Sequence, residues 1–208
     1  MKTNGIVFQF KVTLLDIEPT IWRRFQVPAS FNFWKLHVAL QNVMGWGDSH
    51  LHVFRSPTLE AEGREIGMPI VLIDDEITVD ADWDVPLKTH FQYPGNHMTY
   101  LYDFGDSWTH ELLLEGLLLK EKKRKYPICL EGERACPPED CGGQFGYRRL
   151  LEVLDDPLDE EYDGTMEWLE GHYNCEFPYD PNSFDRRKVK FESPKKRWEQ
   201  VFLNDDFL

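Results

Sequence analysis

Alternating apolar and polar positions mark the first part of the chain as β-structure. Between residues 6 and 16 the apolar side chains occupy every second position, and the alternation returns over residues 21–27 after the turn Glu18-Pro19-Thr20. A period of two places the apolar side chains on one face of a strand. The two segments therefore predict a β-hairpin at the start of the chain.

Strand-like alternation returns at several later places. Residues 50–55 form one short segment, and residues 100–104 and 108–119 flank a Gly-Asp-Ser turn. Residues 70–85 alternate apolar side chains with acids, which predicts a solvated edge strand or a hairpin. Val189 and Phe191 predict one more short strand near the end of the chain.

Apolar residues at helical spacing predict four helices. Ser30 or Asn32 can cap the first of them, and a Ser-Pro pair is typical of the start of the last. The predicted helices cover residues 33–44, 147–154 and 159–171, and the last begins at Ser193 and Pro194.

The order of these elements indicates the fold class. Strands concentrate in the first 120 residues, whereas helices concentrate in the last 80. Such segregation favours an α+β fold with a mainly antiparallel sheet and helices packed on it. We expect residues 1–208 to form a single domain, because a chain of this length buries one core of ordinary size.

Charge restricts the partners that the chain can bind. It carries 37 acidic and 23 basic side chains, a formal net charge of −14. This charge repels phosphate backbones, so nucleic acid is disfavoured and a protein partner with a basic or neutral surface is expected. The chain has no run of about 18 apolar residues, and its first residues lack the apolar run of a signal peptide. We therefore expect no membrane span and a cytoplasmic location.

The four cysteines are candidate metal ligands. In a reducing compartment they are free thiols or zinc ligands rather than disulfides. Three cysteines and either Cys175 or His172 could bind zinc as four ligands. The spacing between the cysteines, however, is not the two-residue spacing of familiar zinc knuckles. The alternative is that the cysteines are simply buried thiols. The residues are Cys129, Cys136, Cys141 and Cys175.

The stretch ACPPEDCGG at residues 135–143 predicts a rigid corner before a helix. Its prolines restrict the backbone, and Gly142 and Gly143 permit backbone angles that other residues resist. Glu139 and Asp140 are placed to satisfy free backbone N–H groups at the start of the helix.

A set of histidines and carboxylates forms a second candidate site, which is catalytic if it holds a metal ion. His50 and His52 are expected on one face of a strand, and the later strand pair supplies the other ligands. Glu139 is the candidate general base. The alternative for His110 is a core histidine that is hydrogen-bonded to an aspartate. The full set is His50, His52, Asp103, Asp106, His110 and Glu139.

Six sequence blocks along the chain are distinctive. They are IWRRFQVP, the helix ending in MGW, HLHVF, YLYDFGDSWTHE, CPPEDCGGQFGY and KFESPKKRW. Together they resemble the plasmid pRiA4b ORF-3-like family. The resemblance implies a compact α+β protein with no settled activity, found in archaea, bacteria and their mobile elements. Some members carry a resolvase-like label, but this chain has no basic helix-turn-helix segment.

Three functions follow as hypotheses. The favoured one is a binding or interaction module. The second is a metal-dependent enzyme of hydrolytic type, because a metal-activated water is the nucleophile that such a site supplies. The third, a recombination accessory protein, rests on family context alone.

We predict weak or absent binding to duplex DNA at about 150 mM salt, because an acidic surface releases few counterions. A gel-shift titration checks this. Submicromolar affinity with a steep salt dependence would contradict the prediction and favour the recombination hypothesis.

Overall fold

The computed structural model describes residues 5–69 and 77–203. Within these ranges eight strands form one sheet, in the order β5-β4-β3-β6-β7-β1-β2-β8. Neighbouring strands are antiparallel except β4 and β5, which are parallel. The strands are β1 (Ile6–Leu14), β2 (Ile21–Pro28), β3 (His52–Arg55), β4 (Arg64–Gly67), β5 (Thr78–Ala81), β6 (His97–Tyr102), β7 (Trp108–Leu119) and β8 (Ile128–Glu133).

Five helices accompany the sheet in the described ranges, and three of them follow residue 142. The predicted α+β class is confirmed. None of these helices is long and apolar enough to cross a membrane. The helices are α1 (Phe33–Met44), α2 (Pro57–Ala61), α3 (Gly143–Asp155), α4 (Tyr162–Gly171) and α5 (Pro194–Phe202).

The predicted first hairpin is confirmed and supplies two adjacent interior strands of the sheet. Leu14 pairs with Ile21 at its closed end, and β1 also pairs with β7 along its other edge. The alternating apolar side chains are buried, with Phe10, Val12 and Phe25 fully inaccessible to solvent. Burial of aromatic and branched side chains of this kind supplies most of the driving force for folding.

Helix α1 covers the sheet and begins and ends where the sequence indicates. Asn32, rather than Ser30, is the N-cap, and its side chain accepts a hydrogen bond from the Lys35 amide at 3.1 Å. Gly45 ends the helix with φ of 95°, a left-handed conformation that glycine adopts at little cost.

Helix α5 packs against α1 through aromatic side chains. Ser193 caps it and Pro194 is its first residue, as predicted. Trp198 and Phe202 pack edge-to-face against Trp34, with ring centroids 5.5 and 5.9 Å away. The last helix therefore stabilises the outer surface of α1.

The sequence prediction missed two strands, β4 and β8, and included one at Val189 and Phe191 that the structure does not contain. β8 was not predicted, because glycine and two glutamates interrupt its apolar pattern, yet it pairs with β2. Val189 and Phe191 form no strand. They pack instead as partly buried side chains against the core. In the acidic segment, Thr78–Ala81 is the edge strand β5, whereas residues 70–76 lie outside the described residues.

Two histidine–aspartate pairs are buried between α1 and the sheet. His37 contacts Asp48 at 2.6 Å, and His52 contacts Asp82 at 2.9 Å. The two imidazole rings stack with centroids 3.5 Å apart and an interplanar angle of 5°. Burial, with the neighbouring His37, lowers the pKa of His52. The ring stack, and the contact of 2.8 Å between His37 Nδ1 and the Tyr100 hydroxyl, link α1 to the sheet.

His110 is also a core histidine. It is fully buried, and its Nδ1 donates to the Tyr100 carbonyl at 3.1 Å. Its Nε2 has no hydrogen-bond partner within the described residues. Protonation would therefore place an N–H group and a charge in apolar surroundings, and burial accordingly lowers the pKa of His110 to about 4.

This depressed pKa predicts acid sensitivity. The unfolded chain takes up the proton near pH 6.5 but the folded chain only near pH 4, so stability is lost as pH falls between these values. The loss from His110 should reach about 3 kcal/mol, at about 1.4 kcal/mol per pKa unit. Urea unfolding at several pH values measures it.

The variant His110→Gln should be less stable than the parent near pH 7 but lose less stability on acidification. His97→Gln, at an exposed histidine, is the matched control and should keep the parental pH dependence. Equal pH dependence in the parent and His110→Gln would contradict the assignment.

Candidate functional site

Three side chains from separate parts of the chain converge at one end of the sheet. His50 Nε2 lies 3.0 Å from Asp140 Oδ1 and 3.5 Å from Asp103 Oδ2. Their ligand atoms all lie within 4.8 Å of one another. Among the described residues this is the group of His, Cys, Asp or Glu side chains with the geometry to hold a metal ion.

Asp103 is held by the turn that follows β6. Its Oδ1 accepts hydrogen bonds from the amides of Gly105 at 2.9 Å and Asp106 at 3.3 Å. Its backbone has φ of 57°, and its amide donates to the Leu51 carbonyl at 2.9 Å. Because Oδ1 of Asp103 accepts these two hydrogen bonds, Oδ2 is the oxygen that faces His50 and can bind a metal ion.

Asp140 is positioned by the residue before it. Glu139 is 1% exposed, and its Oε2 accepts hydrogen bonds from the Gly47 amide at 2.8 Å and the Tyr173 hydroxyl at 2.6 Å. The Tyr102 hydroxyl and the Asn174 amide group also donate to this carboxylate. Four donors therefore fix the loop that carries Asp140.

This environment corrects two expectations for Glu139. The residue is not available as a general base, because both of its oxygens already accept hydrogen bonds. Nor does it cap α3, whose N-cap Gly142 provides no side chain. Burial and the hydrogen bond to Glu139 raise the pKa of Tyr173 to about 12 and shift the pKa of Tyr102 upward further, so both hydroxyls remain donors.

The two glycines form the corner that the sequence predicts. Gly142 and Gly143 have φ of 88° and 66°. A Cβ on Gly143 would lie 2.7 Å from the Asp106 carbonyl oxygen, so glycine also permits the loop to contact the turn after β6. Asp106 therefore brings two loops together through its backbone and is not a member of the three-residue cluster.

His52 and His110 lie outside this cluster. β3 begins at His52, so His50 precedes the strand and the two histidines do not share a face as expected. The His50 side chain is 29% exposed, whereas that of His52 is 1% exposed and bound to Asp82. The alternation rule fails here because it applies only within a regular strand.

Within the described residues, the four cysteines do not come together as the zinc hypothesis requires. All four are free, and none belongs to the ligand group described above. Cys136 Sγ lies 3.7 Å from the Met44 sulfur, and burial raises the pKa of Cys141 to about 12. His172, the alternative fourth ligand, contacts the backbone carbonyl of Glu139 at 2.9 Å. The cysteines are Cys129, Cys136, Cys141 and Cys175.

Asp140 is the cluster member that sequence reasoning assigned to another role. One sequence signal could have identified Asp140. Three of the blocks that resemble the family, HLHVF, YLYDFGDSWTHE and CPPEDCGGQFGY, each contain one residue of the cluster. Tyr102 and Tyr173, which hold Glu139, had no sequence signal, because a hydroxyl reveals its partner only after the chain has folded.

Comparisons with known proteins agree with this architecture. The family model described as plasmid pRiA4b ORF-3-like protein matches residues 6–188. Uncharacterized protein y4hQ of Sinorhizobium fredii (strain NBRC 101917 / NGR234) is 38% identical over 166 residues, which cover 78% of this chain and 80% of that protein. The crystal structure of protein of unknown function MM3350 from Methanosarcina mazei Go1 is similar with a TM-score of 0.77 at 36% identity, covering 91% of this chain and all of that chain.

Glu139→Gln should destabilise the protein by about 2 to 4 kcal/mol, because the amide nitrogen of glutamine would face donors that need an acceptor. Urea unfolding in buffer with a chelator measures the change. Glu160→Gln, at an exposed glutamate, is the matched control and should lie within about 0.5 kcal/mol of the parent. Equal stability of both variants would show that Glu139 does not hold the loop.

Proposed function

This chain belongs to the plasmid pRiA4b ORF-3-like protein family, and from that premise we propose a function based on the geometry of the site. The protein is a binding module that holds a divalent metal ion through His50, Asp103 and Asp140. The convergence of one imidazole nitrogen and two carboxylate oxygens within 4.8 Å carries this proposal.

The ligand types favour a transition metal. Imidazole with carboxylates suits zinc or manganese, whereas magnesium and calcium prefer sites built from oxygen alone. Zinc accepts this set with a fourth ligand from outside the chain. The two carboxylates also bring negative charge that a divalent cation neutralises.

The surroundings of the ligands support the same conclusion. Asp103 is oriented by two backbone amides, and Asp140 follows the buried Glu139. Hydrogen bonds of this kind orient metal ligands before the ion arrives and increase the affinity of the site.

The exposed side of the site supports a role in binding a partner. The side chains of His50 and Asp140 are 29% and 59% exposed, so a bound ion would remain accessible. A carboxylate or imidazole from another protein can then complete its coordination. The expectations of a protein partner and a cytoplasmic location rest on the sequence alone.

Metal-dependent hydrolysis is the second candidate. Three protein ligands with an open position also describe catalytic zinc sites, in which the metal activates a water molecule. Glu139 is occupied by its four donors, so it would not serve as the general base of such a reaction. Zinc-dependent turnover of a nitrophenyl ester or phosphodiester that is lost in His50→Ala would favour hydrolysis over binding alone.

Calorimetric titration with zinc and manganese tests the metal site. The parent should bind one ion, and His50→Ala and Asp140→Asn should each weaken binding by about tenfold or more because each loses a ligand. His97→Ala and Asp156→Asn change exposed residues outside the cluster and should bind like the parent.

Absence of binding in the parent would overturn the proposal. So would parental affinity in both His50→Ala and Asp140→Asn. Circular dichroism of each variant confirms that a lost ion does not simply report a lost fold.

A further inference from the structure

A separate cavity of about 560 Å³ lies where the C-terminal end of α1 meets the irregular segment between α4 and α5. Its volume falls in the range of small-molecule sites. It is lined in part by Trp46, Asn174, Phe184 and Lys190, and Arg23 lies in its wall. None of the three metal-site residues lines this cavity.

Arg23 is a buried cation in this wall. It is 2% exposed, and its Nε donates to the Val43 carbonyl at 2.9 Å. One terminal nitrogen donates to the carbonyls of Trp22 and Glu133. The other has one contact, to the Cys136 sulfur at 3.4 Å, so one of the five N–H groups of the guanidinium has no acceptor within the described residues.

The charge of Arg23 has no carboxylate partner among residues 5–69 and 77–203. By contrast, the more exposed Arg24 next to it binds both Glu115 and Glu131. Acids outnumber bases in this chain, 37 to 23, so counter-ions are abundant elsewhere. The contacts of Arg23 are to carbonyls, a sulfur and an aromatic ring, so an anion that enters the cavity would stabilise its charge.

Four carboxylates line the cavity. Asp185 pairs with Arg187, and Asp180 accepts a hydrogen bond from the Asn182 amide at 2.9 Å. Glu176 binds Lys188, and Glu192 accepts from Arg197 at 2.8 Å. Lys190, exposed on the same lining, forms no ion pair within the part of the chain that the structure describes. Arg23 in the wall and Lys190 at the surface therefore supply positive charge for a ligand.

Asn174 adds a specific acceptor. Its Nδ2 faces Glu139, which fixes the orientation of the amide because a carboxylate only accepts hydrogen bonds. Its Oδ1 is buried and has no donor among the described residues. A buried acceptor of this kind favours a ligand that carries a hydroxyl or amino group.

We propose that this cavity binds a small carboxylic acid that has an apolar body and a hydroxyl or amino group. The carboxylate pairs with Arg23 and Lys190, and the ligand donor meets Asn174 Oδ1. Trp46 and Phe184 supply the apolar walls, and Phe184 also stacks on the Arg23 guanidinium at 3.9 Å. Guanidinium and carboxylate groups are natural partners because their hydrogen-bonding geometries match.

Titration with 3-phenyllactate, followed by protein NMR, tests the proposal. The acid should shift the indole resonance of Trp46, and the shift should saturate as the acid is added. The neutral amide of the acid should bind at least about tenfold more weakly. 3-Phenylpropionate, which lacks the hydroxyl, should also bind more weakly. The three probes separate the charge, the donor and the apolar body.

Variants place the ligand in the cavity. Lys190→Ala should weaken the binding of 3-phenyllactate. Ser183→Trp should block this binding, because the larger side chain occupies part of the cavity. Lys195→Ala, an exposed α5 lysine outside the lining, is the control for charge and should bind like the parent. Arg23→Gln should abolish binding. If it fails to fold, Lys190→Ala and Ser183→Trp still decide the question.

Three outcomes would overturn the proposal. One is that 3-phenyllactate produces no saturable shift at Trp46. A second is that its amide binds as strongly as the acid. The third is that Lys190→Ala and Ser183→Trp both bind like the parent.

Discussion

The carboxylate of Glu139 is the interaction on which the arrangement of the loops depends. Its four donors come from the segment after α1, from the end of β6 and from the segment after α4. A buried carboxylate is stable only when such donors replace the water it has lost. Because the donors lie far apart in sequence, their joint satisfaction fixes three loops in one arrangement. Asp140 gains its position from this arrangement.

The same carboxylate lies between the two proposed sites. Gly47, Tyr173 and Asn174 donate to Glu139 and also line the cavity that contains Arg23. On the other side, Glu139 precedes Asp140 of the proposed metal site. The two sites therefore share a rigid boundary made of hydrogen bonds. A side chain that serves this boundary cannot also act as a catalytic base, so Glu139 acts on the proposed metal site only by holding the loop that carries Asp140.

Buried polar groups recur beneath α1. The stacked pair His37 and His52, each with its aspartate, lies under the helix. His110, by contrast, is buried neutral with one nitrogen unpartnered among the described residues. Hydrogen bonds between buried polar groups are directional, so the core specifies a geometry more narrowly than apolar packing alone does. That specificity comes with sensitivity to acid.

The sequence by itself determined the elements with strong periodicity. The first hairpin, α1 with its glycine stop, the β6–β7 pair and the Ser-Pro start of α5 follow from local patterns of apolar residues and caps, which act over a few neighbours. The sequence also indicated His50 and Asp103 as members of a site. Only the tertiary structure decided which partners they meet. His52 and His110 are equally good ligands by type, but burial in the core removes them. Asp140 joins the cluster because the carboxylate of the preceding residue, Glu139, accepts hydrogen bonds from distant segments of the chain. Local pattern predicts what a segment forms, whereas long-range hydrogen bonds and burial decide which side chains remain free to bind.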